Sequence, residues 1–211
     1  SHKEGGLRVY DLGGHELQSI EPEGIRYNNV DVIYNVALDD SVTDLFVASD
    51  RANDTLAIYA IDPATRTLHD VTGHVPKSIF GVDDGEATAY GLDAYTAADG
   101  TNYVFVTQAG GGEIAQLKLF EGHDGEISAK VVRTLSLPNP DGVGPEDLQS
   151  EGLVIDQTTG QGYVALESGG IWRFDADPDG HHHKEGHGGG FDFEQFVASD
   201  ADFLTPDLEG L

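Results

Sequence analysis

The chain of 211 residues sets 38 Asp and Glu against 11 Lys and Arg, a formal net charge of −27, and such a field repels nucleic acid and anionic membrane surfaces. It has no cysteine, which excludes disulfide frameworks, thiolate metal sites and cysteine-nucleophile chemistry. A hydrophobic content of 38% suffices for one domain with a core, and no run approaches the ~20 apolar residues of a membrane-spanning helix.

The chain opens on "SHKEGGLRVYDL", a strand-like alternation with no basic and apolar leader, as expected of a mature or excised segment. Short runs rich in Val, Ile, Tyr and Phe follow, separated by Gly and Asp clusters, and nothing holds a helical period for three turns. The expected class is all-β. Four kinds of segment recur. The first comprises "NNVDVIYNV", "AYGLDAYTA", "SEGLVIDQT" and a final "LEGL". A second follows it each time, as "DLFVASDR", "NYVFVTQAG" and "GYVALESGG". A third ends in a turn, as "GLRVYDLGGHEL", "LAIYAIDPATRTL", "IAQLKLFEGHDGEI" and "IWRFDADPDG". A weaker fourth strand, such as "KVVRTLSLP" or "EQFVASD", closes each cycle.

Tyr10, Tyr59, Leu117 and Phe174 occupy one place in the third segment, 49, 58 and 57 residues apart. Asn28, Tyr90, Glu151 and Glu209 open the first, at separations of 62, 61 and 58. Four strands in each such repeat predict a β-propeller of four-stranded blades. A β-sandwich, the alternative, does not require the same slots to recur. The phrase "SEGLVID" returns at the end as "TPDLEGL", so residues 1–211 are expected to hold about three and a half blades of a longer propeller, cut at both ends.

In a propeller the first strand of each blade lines the central channel, and its start meets the end of the second strand at one mouth. The first slot there holds Asn28, Tyr90, Glu151 and Glu209. The second holds Lys3, Arg51, Ala109 and, one position earlier in the alignment, Glu167. Asp207 lies near the same rim. Two carboxylates ~5 Å apart repel by roughly 3 kcal/mol at an effective dielectric of 20, so Glu151, Glu167, Asp207 and Glu209 together call for protons or cations. An all-oxygen donor set favours Ca²⁺ over Zn²⁺ or a strict Mg²⁺ octahedron. Lys3 and Arg51 beside it suit a phosphate ligand.

The motifs "GGLRVYDLGGHELQSI", "NNVDV", "SDR", "TLAIYAIDPATRTL", "YGL", "EGLVID", "GYVALE" and "LTPDLEGL", in this order, resemble the β-propeller phytases, calcium-dependent alkaline phosphatases of myo-inositol hexakisphosphate. The resemblance runs from Lys3 to Leu211 and implies a six-bladed propeller with a shallow calcium-lined site at one end of the channel. It implies that Tyr90, Glu151, Glu167, Asp207 and Glu209 hold Ca²⁺. Lys3, Arg51 and Tyr90 take the catalytic positions; Lys3, Arg51, Asn28 and Asn29 contact substrate phosphate. The implied partner is phytate or calcium-phytate, and the implied setting a secreted monomer. Ala109 stands where the family has a phosphate-binding lysine, and further calcium ligands of the family come from segments outside residues 1–211. A non-catalytic propeller that binds calcium and a polyanion is therefore the second hypothesis. A calcium-dependent lactonase-like propeller is a third, but it does not predict Lys3 and Arg51 at the rim.

Other motifs weigh less. Asp175, Asp177, Asp179 and Gly180 match the opening of an EF-hand, yet its twelfth position is Gly186 and a hairpin turn is expected. His181, His182, His183 and His187 lie between Gly-rich flanks, as a surface loop does. "GGGEIA" joins two strands, with no helix to present to a phosphate. No nucleophile with an adjacent base is apparent.

Overall fold

The computed structural model describes residues 1, 6–38, 41–82, 88–139, 144, 148–178, 193–197 and 211. Its strands form one two-stranded and three four-stranded antiparallel sheets, and no helix occurs among the described residues. The first sheet pairs β1 (Leu7–Tyr10) with β2 (Glu16–Ile20). The second runs in chain order through β3 (Tyr27–Leu38), β4 (Ser41–Asp50), β5 (Thr55–Asp62) and β6 (Thr67–Asp70). The third repeats the meander with β7 (Ala89–Thr96), β8 (Asn102–Gln108), β9 (Glu113–Glu121) and β10 (Ile127–Ser136). The fourth repeats it again with β11 (Leu153–Asp156), β12 (Gln161–Leu166), β13 (Gly170–Asp175) and β14 (Glu194–Val197). These are the four-stranded blades expected from the repeat.

Strand periodicity explains why the inner runs read as continuously apolar. Successive side chains point to opposite faces, and here both faces are covered by a neighbouring sheet. On β8, Val104 and Val106 enter the core shared with the second sheet, whereas Tyr103 and Phe105 enter the core shared with the fourth. On β5, Leu56 and Ile58 face the third sheet, while Ala57 and Tyr59 pack with Leu7 of β1. Each fully buried large side chain contributes about 1.5–3 kcal/mol, so the stacking of blades is the main apolar stabilisation. Tyr59, Leu117 and Phe174 are buried as their shared slot implies. Tyr10 differs, being 55% exposed: Tyr59, Leu117 and Phe174 each pack toward the preceding sheet, and no described strand precedes β1.

The first strands lie side by side, with β3 against β7 and β7 against β11. Aspartates fasten them. Asp31 Oδ2 accepts from the Ala94 amide at 2.9 Å, and Asp93 Oδ2 accepts from the Ile155 amide at 2.5 Å. The next equivalent residue is Val154, which ends the series. Farther out, Gln116 donates to the Ala176 carbonyl at 2.9 Å and the half-buried Arg133 guanidinium to the Asp175 carbonyl at 2.6 Å, tying the third sheet to the fourth.

Candidate functional site

One main-chain hydrogen bond recurs where each first strand begins and its second strand ends. The Arg51 amide donates to the Arg26 carbonyl at 2.8 Å, Ala109 to Thr88 at 2.9 Å, and Glu167 to Gln149 at 2.9 Å. Two residues beyond each acceptor stand Asn28, Tyr90 and Glu151. Both slots are therefore fixed by backbone. Glu167 is in register with Arg51 and Ala109, which corrects its expected displacement by one position. The turns following these residues explain the error: β4 to β5 and β8 to β9 are each joined by four residues, β12 to β13 by three. Lys3, Asp207 and Glu209 lie outside the described residues, as do Asp179, Gly180, Gly186 and the histidines at 181, 182, 183 and 187. Asp175 Oδ1 accepts from the Asp177 amide at 2.9 Å, a turn contact.

The slot residues of three sheets converge. Asn28 Nδ2 donates to Glu151 Oε1 at 2.9 Å, and lies 2.8 Å from Asn29 Oδ1. The Tyr90 hydroxyl donates to the Glu151 carboxylate. The Arg51 guanidinium carbon sits 4.9 Å from the centroid of the Tyr90 ring, a cation–π contact worth about 0.5–2 kcal/mol. Glu167 Oε1 accepts from Gln149 Nε2 at 2.9 Å. Burial pushes the Tyr90 phenol above its ordinary value, as do the hydrogen bond to Glu151 and the charges of Glu151 and Glu167; Arg51 pulls the other way. Tyr90 thus stays protonated and serves Glu151 as a donor. Asn28, Tyr90 and Glu151 are 3%, 5% and 8% exposed, so their polar groups must find partners within the rim.

One does not among the described residues: Asn28 Oδ1 is buried without a hydrogen-bond partner. A buried carbonyl oxygen beside a buried carboxylate is what an oxygen-preferring cation requires. Asn28, Glu151 and Glu167 fit part of such a shell. They do not complete one, since no group of three or more His, Cys, Asp or Glu able to hold a metal occurs among the described residues.

Two features escaped the sequence analysis. Hydroxyls of the second strands bridge neighbouring sheets: Ser49 Oγ accepts from the Asn29 amide at 3.1 Å and donates to the Tyr90 carbonyl at 2.6 Å. Thr107 Oγ1 likewise accepts from the Gly91 amide at 2.8 Å and donates to the Ser150 carbonyl. The other is a carboxyl pair three residues below the rim, where Asp93 is hydrogen-bonded to Asp31. Burial and the Asp31 charge push the Asp93 carboxyl up to about 7. The recurrence of Asp in "NNVDV" and "YGLDA" was the available signal for the second.

Comparison with known proteins agrees with this architecture. The chain is 33% identical over 214 residues to the 3-phytase of Bacillus subtilis, covering 100% of the chain and 50% of that protein. A solved structure of a Lactobacillus plantarum protein superposes with a TM-score of 0.54 at 13% identity, over 89% of this chain and 49% of that one. The periplasmic gluconolactonase of Pseudomonas aeruginosa gives 0.52 at 17% identity, over 88% and 48%. At these identities the two structures speak for the propeller fold alone. The chain spans about half the length of the relatives it matches. The family described as phytase matches residues 1–211, and the chain, a β-propeller in its blades and in its rim, belongs to the phytase family.

Proposed function

We propose that the protein is a calcium-dependent phosphomonoesterase that releases phosphate from phytate, with residues 1–211 supplying part of its active rim. The observation that carries this reading is the constellation of Arg51 over Tyr90, with Tyr90 and Asn28 both donating to the buried Glu151. A structural rim has no need to bury a carboxylate beside an unsatisfied amide oxygen. Family membership supports phytate hydrolysis in general, and the oxygen donors favour calcium over softer metals.

Glu151 and Glu167, joined by Asp207 and Glu209, would hold the ion, with Asn28 Oδ1 as a neutral ligand. Bound there, calcium offsets the carboxylate charge and adds Lewis acidity toward a phosphoryl oxygen. Asn28 and Tyr90 fix the orientation of Glu151 through its two donors. Arg51 brings a forked set of N–H donors and a permanent charge suited to a phosphate, and its stacking on Tyr90 limits the side-chain freedom lost on binding. Lys3 adds a second cation. Asn29 lines the approach to the same phosphate. Secretion suits such an enzyme, because an acidic chain of net charge −27 needs the counterions that a calcium-rich medium provides.

A weakly active or purely binding domain is the second reading, favoured by Ala109 in the slot that Arg51 and Glu167 occupy in the flanking sheets. Phosphate release from phytate by the full-length protein, with calcium and with chelator, decides. Calcium-dependent turnover supports the enzyme; phytate binding without turnover supports the second reading; calcium-independent turnover removes calcium from both.

A further inference from the structure

The hydroxyl bridges do not land alike. Ser49 donates to the carbonyl of Tyr90, the first-slot residue of the next sheet. Thr107, its equivalent one sheet on, donates to Ser150, the residue before the first-slot Glu151. The difference follows from residue 91. Its equivalent in the second sheet is Asn29, whereas a Cβ on Gly91 would lie 2.2 Å from the Glu151 carbonyl oxygen and 2.7 Å from Thr107 Oγ1. A gap of 2.2 Å excludes any side chain. The missing Cβ lets the 150–152 backbone settle against β7, and Thr107 holds it there from one residue earlier.

We infer that Thr107 is a positioning residue: by bridging the Gly91 amide to the Ser150 carbonyl in the space Gly91 leaves, it sets the point from which the Glu151 carboxylate reaches Tyr90 and Asn28. This rests on the role given to Glu151 above. Thr107 is fully buried; it acts through the main chain of the residue after Tyr90 and of the residue before Glu151. Both contacts are made by the hydroxyl, so the hydroxyl carries the effect.

The test uses the full-length protein with Thr107→Val, which keeps shape and loses the donor, and Thr107→Ser, which keeps the donor. One readout is the ¹³Cζ resonance of Tyr90, assigned by its loss in Tyr90→Phe, because that nucleus senses donation to Glu151. Thr107→Val is expected to move it toward its position in Glu151→Gln, while Thr107→Ser leaves it near wild type. A second readout is calcium binding by calorimetry, expected to weaken about tenfold in Thr107→Val and less than about twofold in Thr107→Ser. Should the valine variant not fold, Thr107→Cys, a similar shape with a weak donor, takes its place. A folded Thr107→Val or Thr107→Cys with the wild-type Tyr90 resonance overturns the inference. Wild-type calcium affinity in Glu151→Gln overturns instead the metal role of Glu151, and the Tyr90 resonance then judges Thr107 by itself.

Discussion

The first strands carry acidic groups at two depths, at the rim in the fourth sheet and deeper in the second and third, and the two are stabilised differently. At the rim, Glu151 has a phenol and an amide as donors, and Arg51 stands nearby over the phenol. Three residues deeper, Asp31 and Asp93 are hydrogen-bonded to each other, Asp31 accepts the Ala94 amide and Asp93 the Ile155 amide, and burial with the Asp31 charge raises the Asp93 carboxyl. Like charges brought together in a low dielectric must be neutralised. The interior does so with a proton that the Asp93 carboxyl, raised to about 7, keeps throughout the acidic range, which makes a fastening. The rim instead gives Glu151 neutral donors and leaves Asn28 Oδ1 beside it without one, which makes a place for a cation. Depth along the first strands of different sheets separates structure from chemistry.

The sharpest challenge to that contrast is Glu151→Gln. Removing the rim charge leaves Tyr90 and Asn28 with a poorer acceptor, and loss of one partner from a buried charged set is expected to cost about a hundredfold in phytate turnover, with weaker calcium binding. The same change at the half-exposed Glu16 should alter neither. Steady-state kinetics and calorimetry on both variants check this, and equal effects would erase the distinction between rim and surface.

Ala109→Lys sharpens the rim side. Arg51 lies over the first-slot residue of the next sheet, so a lysine in the equivalent slot is delivered toward Glu151 and any phosphate bound there. One added charge-assisted contact is expected to tighten inorganic phosphate binding about tenfold. Unchanged affinity would mean that slot 109, only 3% exposed, does not open on the substrate.

Asp93→Asn tests the interior. The Asp93 carboxyl is raised from 3.8 to about 7, so the folded state holds a proton that the unfolded chain gives up. The stability it contributes is full below pH ~3.8 and is lost as pH rises toward about 7, after which the contribution is flat. Asparagine imitates the protonated pair at every pH, keeping an acceptor for Ile155 and supplying a donor for Asp31. Denaturant unfolding should show it stabilised by about 1–2 kcal/mol at pH 8 and near neutral at pH 4. A variant less stable than wild type at pH 8 would show that the ionised pair carries no net repulsion in the folded state.

The smallest effect is expected from Tyr90→Phe, which keeps the ring beneath Arg51 and removes only the donor to Glu151. A loss of about fivefold in turnover, with phosphate affinity nearly unchanged, fits one hydrogen bond of about 1 kcal/mol. A larger loss in phosphate affinity would place the hydroxyl on the substrate.

The blade repeat was legible because turns rich in Gly and Asp punctuate it and its slots recur at near-constant spacing. Arg51, Tyr90 and Glu151 were found because rim slots carry their chemistry in residue type. Glu167 was placed one residue off because its turn is shorter by one, and a gap cannot be located without the backbone bond from Glu167 to Gln149. Ser49 and Thr107 left no trace, since a hydroxyl in a strand is ordinary until a second sheet is seen to receive it. Asp31 and Asp93 were in register and could have been noticed, but their pairing depends on how closely β3 and β7 approach. Nor could the absence of a Cβ at Gly91 be told from an ordinary strand glycine.

The ladder of main-chain bonds at the rim has an evolutionary consequence. Arginine, alanine and glutamate at 51, 109 and 167 hang from the same amide-to-carbonyl contact, and none of their side chains takes part in it. Selection can therefore rewrite these positions one at a time without renegotiating the scaffold. A lineage can trade cation for methyl or methyl for carboxylate and keep its blades intact, so that duplicated propellers drift in ligand preference long before they drift in shape.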